Sequence, residues 1–130
     1  MEAKDLRIGN WIYPNVENAT PYPVIAILED NVVCSRAMHV HQSDTVIPYQ
    51  DVEPIPLTPE ILEKCGFDYI DMYSSLIGNL YFKITFGGNG LIFHYNHHCN
   101  PKNRQVSVLH LHQLQNLYYS LTGEELPIKI

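Results

Sequence analysis

Val108-Leu109-His110-Leu111-His112-Gln113-Leu114-Gln115-Asn116-Leu117-Tyr118-Tyr119-Ser120-Leu121-Thr122-Gly123-Glu124-Glu125-Leu126 is the stretch that decides how this chain is read. Leu111, Leu114, Leu117, Tyr118 and Leu121 recur at the three- and four-residue spacing of one wide helical face. Gln113, Gln115, Asn116 and Ser120 fall on the other side, and Thr122-Gly123 supplies the stop. Leu126-Pro127-Ile128-Lys129-Ile130 reads as a short terminal strand, whose exposed edge at Ile128 to Ile130 offers a route to a homo-oligomer.

Upstream of this helix the pattern is β. Leu80, Phe82, Ile84 and Phe86 alternate with Tyr81, Lys83 and Thr85, and Gly87-Gly88-Asn89-Gly90 turns the chain into Leu91-Ile92-Phe93-His94-Tyr95 as a hairpin. A strand follows instead of a helix, so these glycines are not a phosphate cradle. Asn96 to Arg104 reads as a polar loop, and a further strand is expected around Tyr69, Met72 and Tyr73.

Pro54-Ile55-Pro56-Leu57-Thr58-Pro59 is the seam of the chain. Its prolines impose extended backbone, after which Thr58 is placed to cap a helix with Pro59 at its first position. Glu60 suits the helix dipole, Ile61, Leu62 and Cys65 face inward, and Gly66 takes the left-handed exit. Before the seam, Ile12-Tyr13, Val24 to Leu28, Val32-Val33-Cys34 and Val46-Ile47 are short β-branched runs broken by Gly9-Asn10, Glu29-Asp30-Asn31 and Pro48. They predict a small SH3-like antiparallel β-barrel. The expected fold class is therefore α+β, with a β lobe over residues 1–57 and an α+β lobe over 58–130 forming one compact unit. In the second lobe the C-terminal amphipathic helix is expected to pack on an antiparallel sheet.

Composition limits the function. The 130 residues are 45% hydrophobic and 17% charged, a globular balance rich in tyrosine and proline. The net charge of -6 is unevenly spread, with three basic and eight acidic side chains in residues 1–57 and five and six in residues 58–130. A nucleic-acid ligand is disfavoured by this charge, above all for the first lobe. Cys34, Cys65 and Cys99 form no CxxC pair and imply a reduced compartment, with Cys34 and Cys65 as small core hydrophobes. The start lacks a signal core, and no apolar run nears the roughly 20 residues that span a bilayer, so the expectation is a soluble, cytoplasmic protein away from membranes.

Two clusters are candidate sites. His94, His97, His98 and Cys99 lie close together, and with His110 they offer nitrogen and sulfur ligands of the kind that hold zinc, either in a metal-binding protein or in a hydrolase. The spacing follows no metal motif, no acidic residue lies in the segment to orient the imidazoles, and solvated loop histidines explain the cluster more simply. On a helix His110 and His112 point about 160 degrees apart, so only one of them can join a shared site. Other catalytic patterns are poorer: there is no Gly-x-Ser-x-Gly, Ser74-Ser75 lies in a polar turn, His98 and Cys99 are sequence neighbours, and Glu124-Glu125 reads as solvated surface. No catalytic residues and no cofactor are assigned. The second cluster is aromatic: Trp11, Tyr13, Tyr22 and Tyr49 line an interaction groove if they share one side of the barrel, whereas Trp11 packs in the core if they do not. Such a groove in an acidic lobe favours basic or neutral partners.

Leu6-Arg7-Ile8-Gly9-Asn10-Trp11-Ile12, Pro54-Ile55-Pro56-Leu57-Thr58, Leu62-Glu63-Lys64-Cys65-Gly66-Phe67 and the block from His112 to Leu126 together resemble a group of small uncharacterised proteins. These are encoded by phages, prophages and mobile elements of Bacteroides-group gut bacteria. The resemblance implies a cytoplasmic, phage-related accessory protein and brings no activity or site residue with it. It does not extend to Asp68 to Arg104, so the clustered histidines stand outside it. A non-enzymatic protein-protein interaction module is the leading expectation, with a nucleic-acid-binding small barrel and a metal-binding protein or hydrolase as alternatives.

Overall fold

Short β-branched runs separated by Asp, Asn and Pro do become strands. The structure, a computed structural model, describes residues 1–14, 20–35, 44–69, 73–77, 80–87, 90–97 and 100–129, and between 68 and 106 it describes backbone alone. The chain divides into two units, Met1–Pro56 with His110–Glu125, and Leu57–Leu109 with Leu126–Ile130. The fold is α+β.

In the first unit β1 (Trp11–Pro14), β2 (Tyr22–Ile27), β3 (Asn31–Cys34), β4 (Thr45–Pro48) and β5 (Val52–Glu53) form one antiparallel sheet in the order β4-β3-β2-β1-β5. Alternation selects the buried face: Ile12, Val24, Val32, Cys34, Ile47 and Val52 cluster with Leu6 as a core, and Met1, Tyr22, Ile27 and Tyr49 pack against it. The expected SH3-like barrel does not close. β1 to β4 form a meander and β5 returns to the free side of β1, which leaves β4 and β5 as opposite edges with no pairing between them. Closure requires the two outer strands to tilt and stagger into register with each other, and among the described residues β4 and β5 share no ladder.

Gly9 sets the entry to β1. Its φ of +98° lies where only glycine is unstrained, and the Asn10 N–H reaches back to the Arg7 carbonyl at 3.0 Å to close a tight turn. The Gly9 N–H donates to Val24 O at 2.8 Å, and the Val24 N–H donates to Asn10 O at 2.8 Å. The turn therefore delivers β1 directly onto β2.

In the second unit α1 (Pro59–Lys64) forms as its caps dictate. The Thr58 hydroxyl accepts from the Ile61 N–H at 3.3 Å, Pro59 opens the helix and Gly66 follows it at φ +85°. Leu57, Leu62, Cys65, Phe67, Val108 and Leu126 are buried. β6 (Asp68–Tyr69), β7 (Tyr73–Ile77), β8 (Leu80–Gly87), β9 (Gly90–His97) and β10 (Asn100–Val108) make a second antiparallel sheet in chain order. Gly87 stands opposite Gly90, the register of a two-residue hairpin. Asn96 to Arg104 is not the loop its polarity suggests: its described residues belong to β9 and β10. An edge strand such as β10 keeps one side open to water and so tolerates polar residues, and a register shift between Asn100 and Arg104 absorbs the irregularity.

α2 (Leu111–Thr122) ends at Gly123, at φ +74°, and belongs to the first unit, contrary to the expectation that it packs on the second sheet. Residues 126–129 form no strand. Pro127 has no N–H to give a ladder, and Lys129 N–H instead donates to Lys64 O at 2.9 Å. The edge invoked for self-association is therefore absent among the described residues. Among those residues no helix is long and apolar enough to cross a membrane.

Cys34 and Cys65 are free thiols at 0% and 3% exposure, and burial pushes them up to about 11 and about 12 respectively. Iodoacetamide at pH 8 should leave both unmodified in the native protein and alkylate both in guanidinium, as read by peptide mapping. Rapid native alkylation of either would contradict the described core.

Candidate functional site

Of the histidines proposed as metal ligands, two are placed by the backbone of the second sheet. His94 and His97 both lie in β9, opposite Lys83 and Gln105 and opposite Leu80 and Asn100 respectively. Three residues of strand separate them by about 10 Å of rise. His98 and Cys99 lie outside the described residues, and His110 belongs to the first unit. Among the described residues no group of three or more His, Cys, Asp or Glu is placed to hold a metal ion.

His110 and His112 do come together, against the helical expectation. Their rings stack with centroids 5.8 Å apart and planes 15° from parallel. His110 is the residue before α2, with extended backbone at φ -131° and ψ 154°, so the 100° helical step does not separate it from His112. The Gln113 Oε1 accepts the His110 N–H at 3.1 Å and fixes this start. The two imidazoles, Gln113, Asp5, Pro54 and Met1 line a cleft of about 360 Å³. His112 is 5% exposed and its buried Nδ1 has no hydrogen-bond partner. Burial first, and then the neighbouring His110, hold its pKa below the usual 6.5, with Asp5 pulling weakly the other way. The described residues that line the cleft include two imidazoles and, among them, no serine, cysteine or lysine to pair with a base.

The polar residues that do the most structural work were missed by pattern reading. Gln115, assigned to the polar side of the helix, is 1% exposed. Its Oε1 accepts the Trp11 N–H at 2.9 Å and its Nε2 donates to Gly9 O at 3.0 Å, so one side-chain amide answers the β1 backbone as a neighbouring strand would. Asn10, fully buried, donates from Nδ2 to Asn116 Oδ1 at 2.8 Å and accepts the Arg7 N–H at 2.7 Å. Arg7 pairs with both carboxylate oxygens of Glu125 and lies over the Tyr119 ring at 4.2 Å from its centroid. One signal pointed to Gln115: it stands four residues after Leu111 and three before Tyr118, inside the apolar stripe.

The aromatic residues are not gathered on one surface. Trp11 and Tyr13 alternate with buried Ile12 and Pro14 and so occupy the face of β1 away from the core. Tyr22 stands opposite Ile12, and it and Tyr49 pack against the core, with the Tyr49 hydroxyl donating to Leu28 O.

A different surface is open. β4 is an edge strand, and Val46, opposite Val33, which is itself opposite Ala26, ends an apolar row across three strands. Val46 is 57% exposed, and Ile25, at a register shift in β2, is 40% exposed. The described residues between 20 and 53 include Glu29, Asp30, Asp44, Asp51 and Glu53 and no lysine or arginine. No family model, curated protein or solved structure gives a significant match to the chain.

Two outcomes test this description. Gln115→Ala strands the Trp11 N–H and the Gly9 carbonyl, and should lower the unfolding free energy by about 3 kcal/mol in chemical denaturation. Gln115→Glu, which has no donor for Gly9 O, should do no better. The second concerns acid. Because the folded chain holds His112 below 6.5, the unfolded chain binds the extra proton. Stability is then complete above the unfolded value and falls as pH drops below it. Denaturation midpoints from pH 7.5 to 5.5 should fall in the wild type and fall less in His112→Phe, which keeps a ring on His110; parallel curves would refute the assignment.

Proposed function

We propose that the protein is a non-enzymatic interaction module that engages another protein through the β4 edge of its first sheet. One observation carries the reading: Val46, an apolar residue on an edge strand, is 57% exposed. Edge strands are usually protected by a lysine, a bulge or a cover, because their unpaired N–H and C=O groups recruit other strands. β4 has no lysine, and Pro48 closes only its last position. The acidic excess of residues 1–57, eight acidic side chains against three basic ones, disfavours a phosphate backbone as the ligand. An accessory role in a phage or mobile element rests on the resemblance of the four quoted blocks between Leu6 and Leu126.

A photoreactive amino acid at position 46 tests the reading against one at the exposed Glu60 of α1. In lysate of the cell that makes the protein, position 46 should give a discrete protein adduct that position 60 does not. No adduct at 46, or the same adduct at both, would remove the β4 edge as the docking surface.

A further inference from the structure

Building on the reading of β4 as a docking edge, we infer that its partner is an extended segment with a basic residue at each end of a short apolar core, added to β4 as a sixth strand. Charge placement carries this. Asp44 is exposed immediately before β4. At the other end, Asn31 pairs with Pro48, which brings the Glu29–Asp30 turn beside the close of the strand. Both turn residues are exposed. Carboxylates thus bracket a four-residue edge with the apolar Val46 inside it. At about 3.3 Å per residue the acidic ends are roughly 13 Å apart, the span of one basic residue, a few extended residues and a second basic residue. Main-chain bonds would supply the pairing, Val46 a contact for one side chain, and the acidic ends the preference for sign.

A second copy of the chain fits this edge poorly. Two β4 strands paired about a two-fold axis run antiparallel, so Asp44 of one copy would approach the Glu29–Asp30 turn of the other. Carboxylate would then meet carboxylate, and like charges across a strand pair destabilise it.

Three labelled peptides and the full chain test the inference by fluorescence anisotropy. The first has arginines flanking Thr-Val-Thr-Val, the second replaces the arginines with glutamates, and the third keeps the arginines but has proline at the centre. Only the first should bind, its affinity falling as salt rises, with amide shifts in NMR spectra at Val46 and its β3 partners. Asp44→Asn should weaken it about 2- to 5-fold, and Val46→Lys, at an exposed site the fold tolerates, at least about tenfold. Equal binding of the proline peptide would reduce the effect to charge and overturn strand addition. Binding of the acidic peptide, undiminished binding to Val46→Lys, or a dimer by light scattering that Val46→Lys dissolves would overturn the partner chemistry. A cross-link at position 46 without binding of the arginine peptide would sink this inference and leave the docking edge standing.

Discussion

The side-chain amide of Gln115 is the contact on which the first unit depends. A helix has no backbone groups to offer the flank of a strand, because its own ladder uses them. Gln115 supplies an acceptor for Trp11 N–H and a donor for Gly9 O from inside an otherwise apolar stripe. At 1% exposure no water competes, so the penalty for leaving these groups unpaired makes the bonds specific. The Arg7–Glu125 pair is more conspicuous but weaker in effect: its side chains are 28% and 51% exposed, where ion pairs contribute about 1 kcal/mol or less. The pair and the Tyr119 ring orient the end of α2, while Gln115 sets its register on β1.

Local rules explain what was legible from the amino-acid pattern. Thr58, Pro59 and Gly66 bound α1 because capping and proline geometry act within a few residues. Gly123 ends α2 for the same reason, and alternation identifies β8 and its hairpin with β9. Non-local readings failed for specific causes. Whether β4 and β5 meet depends on how far the sheet curls, which no short run encodes. Gln115 looked polar and therefore exposed, since residue type says nothing about a partner that lies 104 positions away. Residues near the two ends of the sequence bond to each other, Arg7 with Glu125 and Asn10 with Asn116.

The candidate site was less legible than the fold. Histidine density singles out residues 94 to 99, whose side chains lie outside the described ones, whereas His110 and His112 meet because His110 lies outside the helix. A 100° wheel applied one residue too early reverses that conclusion. Pleating divides the aromatic residues: odd positions of β1 face away from the core, while Tyr22 sits opposite an even one. The acidic balance, by contrast, was read from composition alone and acquires meaning once β4 is known to be an edge between Asp44 and the Glu29–Asp30 turn.

Chain order poses a last physical question, since α2 joins β1 across more than a hundred residues. Closing such a loop directly costs about 4 kcal/mol in the logarithmic estimate. The second unit reduces the difficulty. Leu57 N–H donates to Leu109 O at 3.1 Å, so its own folding brings the outgoing and returning strands side by side. The next step along each strand gives the Pro56–His110 bridge, and the next the Leu111 N–H to Ile55 O bond at 2.8 Å, at the first turn of α2. Each contact shortens the closure that the following one requires. The stacked histidines sit at this threshold, so a proton forced onto His112 acts where α2 is first held to the strand entering it. The Gln115 contact lies one helical turn further on, and the bridge has already delivered it to β1.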